Sequence, residues 1–429
     1  MVKIYKNPPK EEWLKLIQRP QKDTESLQNL VKEIFHQVKN HGDEALLKYT
    51  QQFDKIELKT LEISLSEICE SKKLITKDLQ NAIFQAYNNI KKFHEIQKER
   101  KNIIETVDGV RCWRESRPID RIGIYVPGGS APLFSTVLML AVPAQIAGCK
   151  EVILCTPPNS EGNVHPAILF SASLSGVHRI FKIGGIQAIA AMHYGTPCIP
   201  KVYKIFGPGN QYVTAAKEYA QFLGTAIDMP AGPSEVLIIA DNKSNPDFIA
   251  ADLLSQAEHG PDSQVVLLAN SNQILEKTIQ SLENQIENLP RKEIALQSLQ
   301  NSFFIEFNDM ETCFEFSNEY APEHLILNFN TANKWLNYVN NAGSVFVGKY
   351  SCESFGDYAS GTNHTLPTYG YAKAYSGVSL DSFVKKITFQ RISPKGLYEL
   401  GPVVEIMAEN EELFAHKNAV TIRLNSLKS

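Results

Sequence analysis

Apolar residues recur through the first hundred positions at the three- and four-residue spacing of a helix face. Leu27, Leu30, Val31, Ile34, Phe35 and Val38 share one stripe. Leu79, Ile83, Tyr87, Ile90 and Phe93 share another, behind a possible Thr76 cap. From Asp23 to about Arg100 the spacing therefore predicts packing helices with polar outer faces. At Arg121 the texture changes to short continuous apolar runs over 122–126, 151–155, 179–183, 202–206 and 236–240, alternating with helical stretches. Runs of that kind indicate parallel strands in an α/β sheet. A second series at 264–269, 302–307 and 344–347 reads the same way. The expected fold class is α/β, with two doubly wound, incomplete Rossmann-like lobes. One lobe takes 23–122 plus 237–375 and the other 123–236, with helical extensions at 1–22 and 376–429.

Composition narrows the class. With 429 residues, 43% apolar, 21% charged and a net charge of −4, the chain has the make-up of a globular protein of more than one lobe. It offers no electrostatic reason to expect nucleic acid. Its most apolar stretch, 137–147, contains Pro143 and is shorter than the roughly 20 residues a membrane span needs, so a buried helix is expected. The opening MVKIYKNPPKEEWLKL has no apolar signal region. The seven cysteines are scattered, odd in number and never in a CxxC pair, as expected of reduced thiols in a cytoplasmic protein.

Five segments combine glycine, proline and reactive side chains: YVPGGSAPL (125–133), GGIQAIAA (184–191), FGPGNQYVT (206–214), DMPAGPSEV (228–236) and GDYASGTNHTLPT (356–368). The first four adjoin expected strands and three lead into helices, where exposed N–H groups receive phosphates. A dinucleotide fits. Without a GxGxxG, however, the same glycines fit equally well as turn formers. Among the ten histidines, His36, His41, His94, His165, His178 and His193 sit in ordinary surroundings, whereas His259, His324, His364 and His416 each lie near a carboxylate, a Gly or a Pro. Asn245-Pro246-Asp247 is a strong helix start, and Gln256 and His259 fall three apart at that helix's end. With Asp357 and a distant histidine they can form a mixed N/O zinc shell. The alternative is that His259 only complements a helix C-terminus. Glu323-His324, following Pro322 in an apparently irregular segment, offers two proton carriers able to reach one pocket, or a plain surface pair. There is no HExxH, which disfavours the standard zinc peptidase.

Together these segments resemble one family, histidinol dehydrogenase. From about Arg111 onward, RIGIYVPGGSAPLFSTVLMLAVPAQIAGC, FGPGN, DMPAGPSEV, SQAEHGPDS, YAPEHL, GDYASGTNHTLPT and AHKNAVT stand in that family's order. The resemblance implies one Zn²⁺ per subunit held by Gln256, His259, Asp357 and His416, and Glu323 with His324 as the catalytic acid–base pair. It implies substrate contacts at Ser234, Gln256, His259, His324, Asp357, His364, Glu411 and His416, and NAD contacts at Tyr125, Gln187 and Asn210. The metal and catalytic residues would belong to the 237–375 part of the first lobe and the NAD loops to 123–236.

The reaction so implied is the four-electron oxidation of L-histidinol through histidinal to L-histidine with two NAD⁺, the last step of histidine biosynthesis. The resemblance further implies a homodimer whose helical tails complete each other's sites. Two rivals remain at this point. In a zinc hydrolase on a similar scaffold the metal would activate water directly. A non-catalytic NAD-binding or structural protein could keep the fold.

Overall fold

The structure, a computed structural model, describes residues 2–19, 24–128 and 131–428. The expected boundary between 22 and 23, and Gly129-Ser130 of the first glycine-rich loop, lie outside the described residues. Two parallel sheets organise the chain. One has the strand order Lys3–Lys6, Phe303–Glu306, Gln264–Ala269, Glu235–Ala240, His324–Asn328, Ser344–Val347. The other runs Arg179–Lys182, Glu151–Thr156, Arg121–Tyr125, Lys204–Phe206, Ala226–Ile227. Setting aside the N-terminal strand, each sheet reads 3-2-1-4-5 in chain order, so both are doubly wound around their first strand.

The central strands are apolar along their whole length because helices cover both faces. Val236, Ile238 and Leu267 pack on one side of the six-stranded sheet with Ile249 and Leu253, while Leu237, Ile239 and Leu268 pack on the other with Phe314 and Phe316. The apolar run near 137 is the expected buried helix, Phe134–Ala147, and Pro143 lies within it. No helix among the described residues is long and apolar enough to cross a membrane.

Several expectations need correction. The helices in 24–95 belong with the five-stranded sheet and not with the six-stranded one. Val31, Ile34, Phe35 and Val38 bury against Ile186, Ala190 and Val213, and Ile83 and Ile90 bury against Leu138 and Val142. The strand at 235–240 sits at the centre of the other lobe's sheet, paired to both 264–269 and 324–328, so the boundary falls just before Glu235. The N-terminal extension is not purely helical: Lys3–Lys6 adds an edge strand beside Phe303–Glu306. Trp13 of helix Lys10–Leu16 then packs edge-on against Phe316. Nor is the C-terminal tail purely helical. Val384–Ile392 pairs antiparallel with Val110–Pro118, which pairs in turn with Ile103–Val107. Helices Pro394–Asn410 and Phe414–Ser426 follow as a hairpin.

Candidate active site

A cleft of about 300 Å³ separates the two lobes. The five-stranded sheet turns its carboxyl edge toward it: Tyr125 ends one strand, and Gly207–Asn210 and Asp228 follow two others. That is the usual ligand edge of an open α/β sheet. The six-stranded sheet does the reverse. Ser234, His259 and Glu323 immediately precede or lead toward its strands, and His324 is the first residue of one, so its amino edge supplies the reactive groups.

The segment expected to be irregular around Glu323-His324 is therefore the mouth of a fully buried parallel strand, His324–Asn328. Glu323 and His324 are 5% and 4% exposed. Their side chains meet because Glu323 stands one residue outside the strand: His324 Nδ1 lies 3.6 Å from Glu323 Oε2. The same nitrogen lies 3.8 Å from Glu353 Oε1, while Nε2 lies 3.6 Å from Asp357 Oδ1. Glu235 completes the surround through its main chain. Its N–H donates to Glu323 Oε2 at 2.9 Å and its carbonyl accepts from His324 Nδ1 at 3.3 Å.

Charge and burial compete strongly here. Burial, only partly offset by His324, pushes the Glu323 carboxyl up to about 8. Burial works against the protonated His324 ring, but Glu353, Glu323 and Asp357 outweigh it and hold its pKa well above the ordinary histidine range. Asp357 is lowered despite burial, because the His324 ring lies 3.6 Å away and His364 and His259 lie nearby. Desolvation in the cleft lowers His259, partly offset by Asp357, and burial lowers His364. His364 is fixed between the lobes: Nδ1 donates to the Asp357 carbonyl at 2.9 Å and Nε2 lies 3.1 Å from Thr136 Oγ1.

The donor set for a cation is N/O and compact. His259, Glu353 and Asp357 each offer an atom within 4.8 Å of the others. Gln256, in the last turn of helix Pro246–Ala257, is fully buried, and neither atom of its amide has a partner. A buried amide without partners costs free energy unless something coordinates it. The residues thus suit zinc, which accepts mixed N/O ligands. Glu353 went unnoticed in the sequence; its signal was the i,i+4 spacing to Asp357 on helix Glu353–Tyr358. Glu411 and His416 are not brought to this cleft. Both are exposed in the tail, at the end of one helix and within the next.

Behind the opposite wall, the buried Tyr125 hydroxyl accepts from the Gly185 N–H at 3.1 Å, and burial pushes its pKa to about 12. Gln187, 1% exposed, leaves its Oε1 without a partner. Asn210 caps helix Gln211–Phe222 by accepting from the Tyr212 and Val213 N–H groups. Gly207 is required here, since at φ +127° a Cβ would stand 2.0 Å from the Tyr125 carbonyl oxygen. The three expected cofactor residues therefore lie at one sheet edge; Asn210 lines the cleft, while Tyr125 and Gln187 are buried behind it.

Of the six histidines read as ordinary, His165 caps helix Pro166–Leu174 and His193 bonds Thr225. Ser234 lines the cleft beside Gly232, whose N–H donates to Thr368 of the glycine-rich loop at 2.6 Å.

Known proteins resemble this chain over its full length. The histidinol dehydrogenase family model matches residues 17–424. A histidinol dehydrogenase of Bacteroides thetaiotaomicron is 56% identical over 428 residues, covering 100% of both chains. The chloroplastic histidinol dehydrogenase of Arabidopsis thaliana is 52% identical over 414 residues, 96% of this chain and 88% of that one. A crystal structure of histidinol dehydrogenase from Elizabethkingia anophelis superposes with a TM-score of 0.97 at 60% identity, covering 100% and 99%.

Proposed function

Because the chain belongs to the histidinol dehydrogenase family of NAD-dependent oxidoreductases, we propose that it oxidises L-histidinol to L-histidine through histidinal. It would consume two NAD⁺ at a site holding one zinc ion per subunit. The observation that carries this reading is the Glu323–His324 pair, sealed beside a cation-ready set of His259, Asp357 and the unpartnered Gln256 amide.

Gln256, His259 and Asp357 would hold the metal with His416, and Tyr125, Gln187 and Asn210 would hold the dinucleotide. When bound, zinc supplies a template for the substrate's imidazole and amine plus a charge that weakens the field keeping His324 protonated, and NAD⁺ accepts hydride. His324 takes the proton from the substrate hydroxyl at Nε2, the nitrogen left free by the Glu235 carbonyl. Once the aldehyde exists, Glu323 takes a proton from water as that water adds to the carbonyl carbon. His324, having released its first proton to solvent, then deprotonates the hydrate for the second oxidation. His364 and Glu411 would fix the polar ends of the substrate, and Ser234 would line its cleft.

Glu411 and His416 lie outside their own chain's cleft, so a homodimer with shared sites follows from the same reading. Ile406, Met407 and Phe414 of the tail hairpin are 62%, 60% and 61% exposed, an apolar surface that suits a partner subunit. Reduced thiols fit a cytoplasmic location: among the described residues, which include all seven cysteines, none is paired. The deciding experiment mixes the protein with zinc, NAD⁺ and histidinol and follows NADH absorbance. Two NADH per histidinol, with histidine as product, supports the proposal; hydrolysis without NADH favours a hydrolase, and no turnover a binding protein.

A further inference from the structure

Arg19 lies in the N-terminal segment, yet its side chain is only 7% exposed and that of its partner Glu235 only 1%. Nε and Nη2 donate to the two Glu235 carboxylate oxygens at 2.9 Å each. Nη2 also donates to the Tyr320 carbonyl at 2.6 Å and Nη1 to the Ile17 carbonyl at 2.8 Å, while the guanidinium lies 3.6 Å above the Tyr320 ring. A forked, stacked arginine of this kind fixes orientation in a way that a lysine would not.

What it fixes is the residue whose main chain touches both members of the acid–base pair. The Glu235 N–H orients Glu323, and the Glu235 carbonyl faces His324 Nδ1. A carbonyl can only accept, so Nδ1 keeps its proton whether the ring is neutral or charged, and the exchangeable proton sits on Nε2. Glu235 itself follows a Gly/Pro-rich loop and opens its strand. Its main chain is paired with Gln264 on the sheet side, and the ion pair adds a side-chain anchor where the strand meets the loop.

We infer that the buried Arg19–Glu235 pair is a positioning device for this reaction: it locks the Glu235 main chain, and thereby the His324 tautomer and the Glu323 carboxylate orientation. The inference rests on the roles proposed for Glu323 and His324. It makes the N-terminal segment part of the catalytic apparatus without touching substrate.

The test uses the zinc-loaded full chain. Arg19→Met combined with Glu235→Gln removes both charges, so neither is left bare. We expect kcat to fall about ten- to a hundredfold in both half-reactions, the scale of a misplaced catalytic group, with zinc content and KM for NAD⁺ changing less than about twofold. Nitrogen-15 spectra of histidine-labelled protein, with the His324 signals identified by their loss in His324→Asn, should show a single Nδ1–H tautomer in the parent chain and mixed tautomers in the variant. Arg19→Lys, which retains charge without the fork, should fall between and serves if the double variant does not fold. Unchanged kcat and an unchanged tautomer in folded variants would overturn the inference, as would activity lost only in step with zinc or thermal stability. If the parent chain does not oxidise histidinol, the functional reading fails on its own, and the tautomer readout still judges the positioning.

Discussion

Lys217 and Asp228 form an ion pair that brackets Gly207. Nζ lies 2.5 Å from Asp228 Oδ1 and donates to the Gly207 carbonyl, while Oδ2 accepts from the Gly207 N–H. With side chains 5% and 1% exposed, the pair is costly to break but not to replace. Lys217→Met should destabilise the protein by about 3–5 kcal/mol by stranding a buried carboxylate, and Lys217→Met with Asp228→Asn should recover much of the loss. Urea unfolding checks this. Because Gly207 leads to Asn210, NAD⁺ affinity should weaken in both variants, and a wild-type unfolding midpoint for Lys217→Met would refute the account.

The metal prediction separates two overlapping ligand sets. If Gln256, His259 and Asp357 hold zinc with His416, His259→Ala should lose metal and activity together while the fold survives, since neither sheet is built on the site. Glu353→Gln should retain zinc, because Glu353 would be a buried neighbour and not a ligand. Metal analysis of both proteins decides, and zinc lost from Glu353→Gln would place that carboxylate in the shell.

The two half-reactions should respond differently to Glu323 and His324. Glu323→Gln should slow histidinal oxidation far more than histidinol oxidation, by roughly the 10² to 10⁴ expected of a lost general base, whereas His324→Asn should impair both. Supplying histidinal directly makes the comparison. Equal losses for Glu323→Gln would mean the roles are wrongly divided.

Glu323 also gives the second step a pH signature. Its carboxyl is raised to about 8 by burial, so it is neutral below that value and becomes a base as pH rises. Histidinal oxidation should therefore increase with pH along a limb whose midpoint lies at or below about 8, since a bound cation can only move it down. The limb should vanish in Glu323→Gln. Its persistence there would assign it to another group.

Shared sites predict complementation. Mixing His324→Asn subunits with His416→Ala subunits, under conditions that exchange chains, should yield heterodimers with one intact site. Recovery should approach about a quarter of wild type, since half the dimers are mixed and each has one good site of two. Verified exchange with no recovery would assign His416 to its own chain.

The architecture was legible where the physics is one-dimensional. Buried parallel strands such as 264–269 are continuous apolar runs, and helix Pro246–Ala257 announces itself through Asn245 and Pro246. The antiparallel sheet escaped notice because its strands lie at the surface. Val384, Ile387, Phe389 and Ile392 keep no period of two, and Ile103–Val107 is exposed throughout. The Asp108-Gly109 turn, with Gly109 at φ +83°, was the missed sign of a hairpin. Which sheet the early helices cover is a matter of tertiary packing, and their stripes are equally apolar for either. At the site, residue types were readable, but the convergence of Glu353 on His324, or of Arg19 on Glu235, depends on folds in the chain that spacing does not encode.

The N-terminal strand has a consequence for how the chain is made. Lys3 pairs with Phe303, whereas the five-stranded sheet uses only residues 121–227. At about 5–20 residues per second of synthesis, the first strand emerges roughly 15–60 seconds before its partner exists. The five-stranded sheet is by then fully synthesised and free to close. The Lys3–Lys6 strand is thus among the last segments to settle, and with it comes Arg19, so the proposed acid–base pair should acquire its final geometry only late in folding.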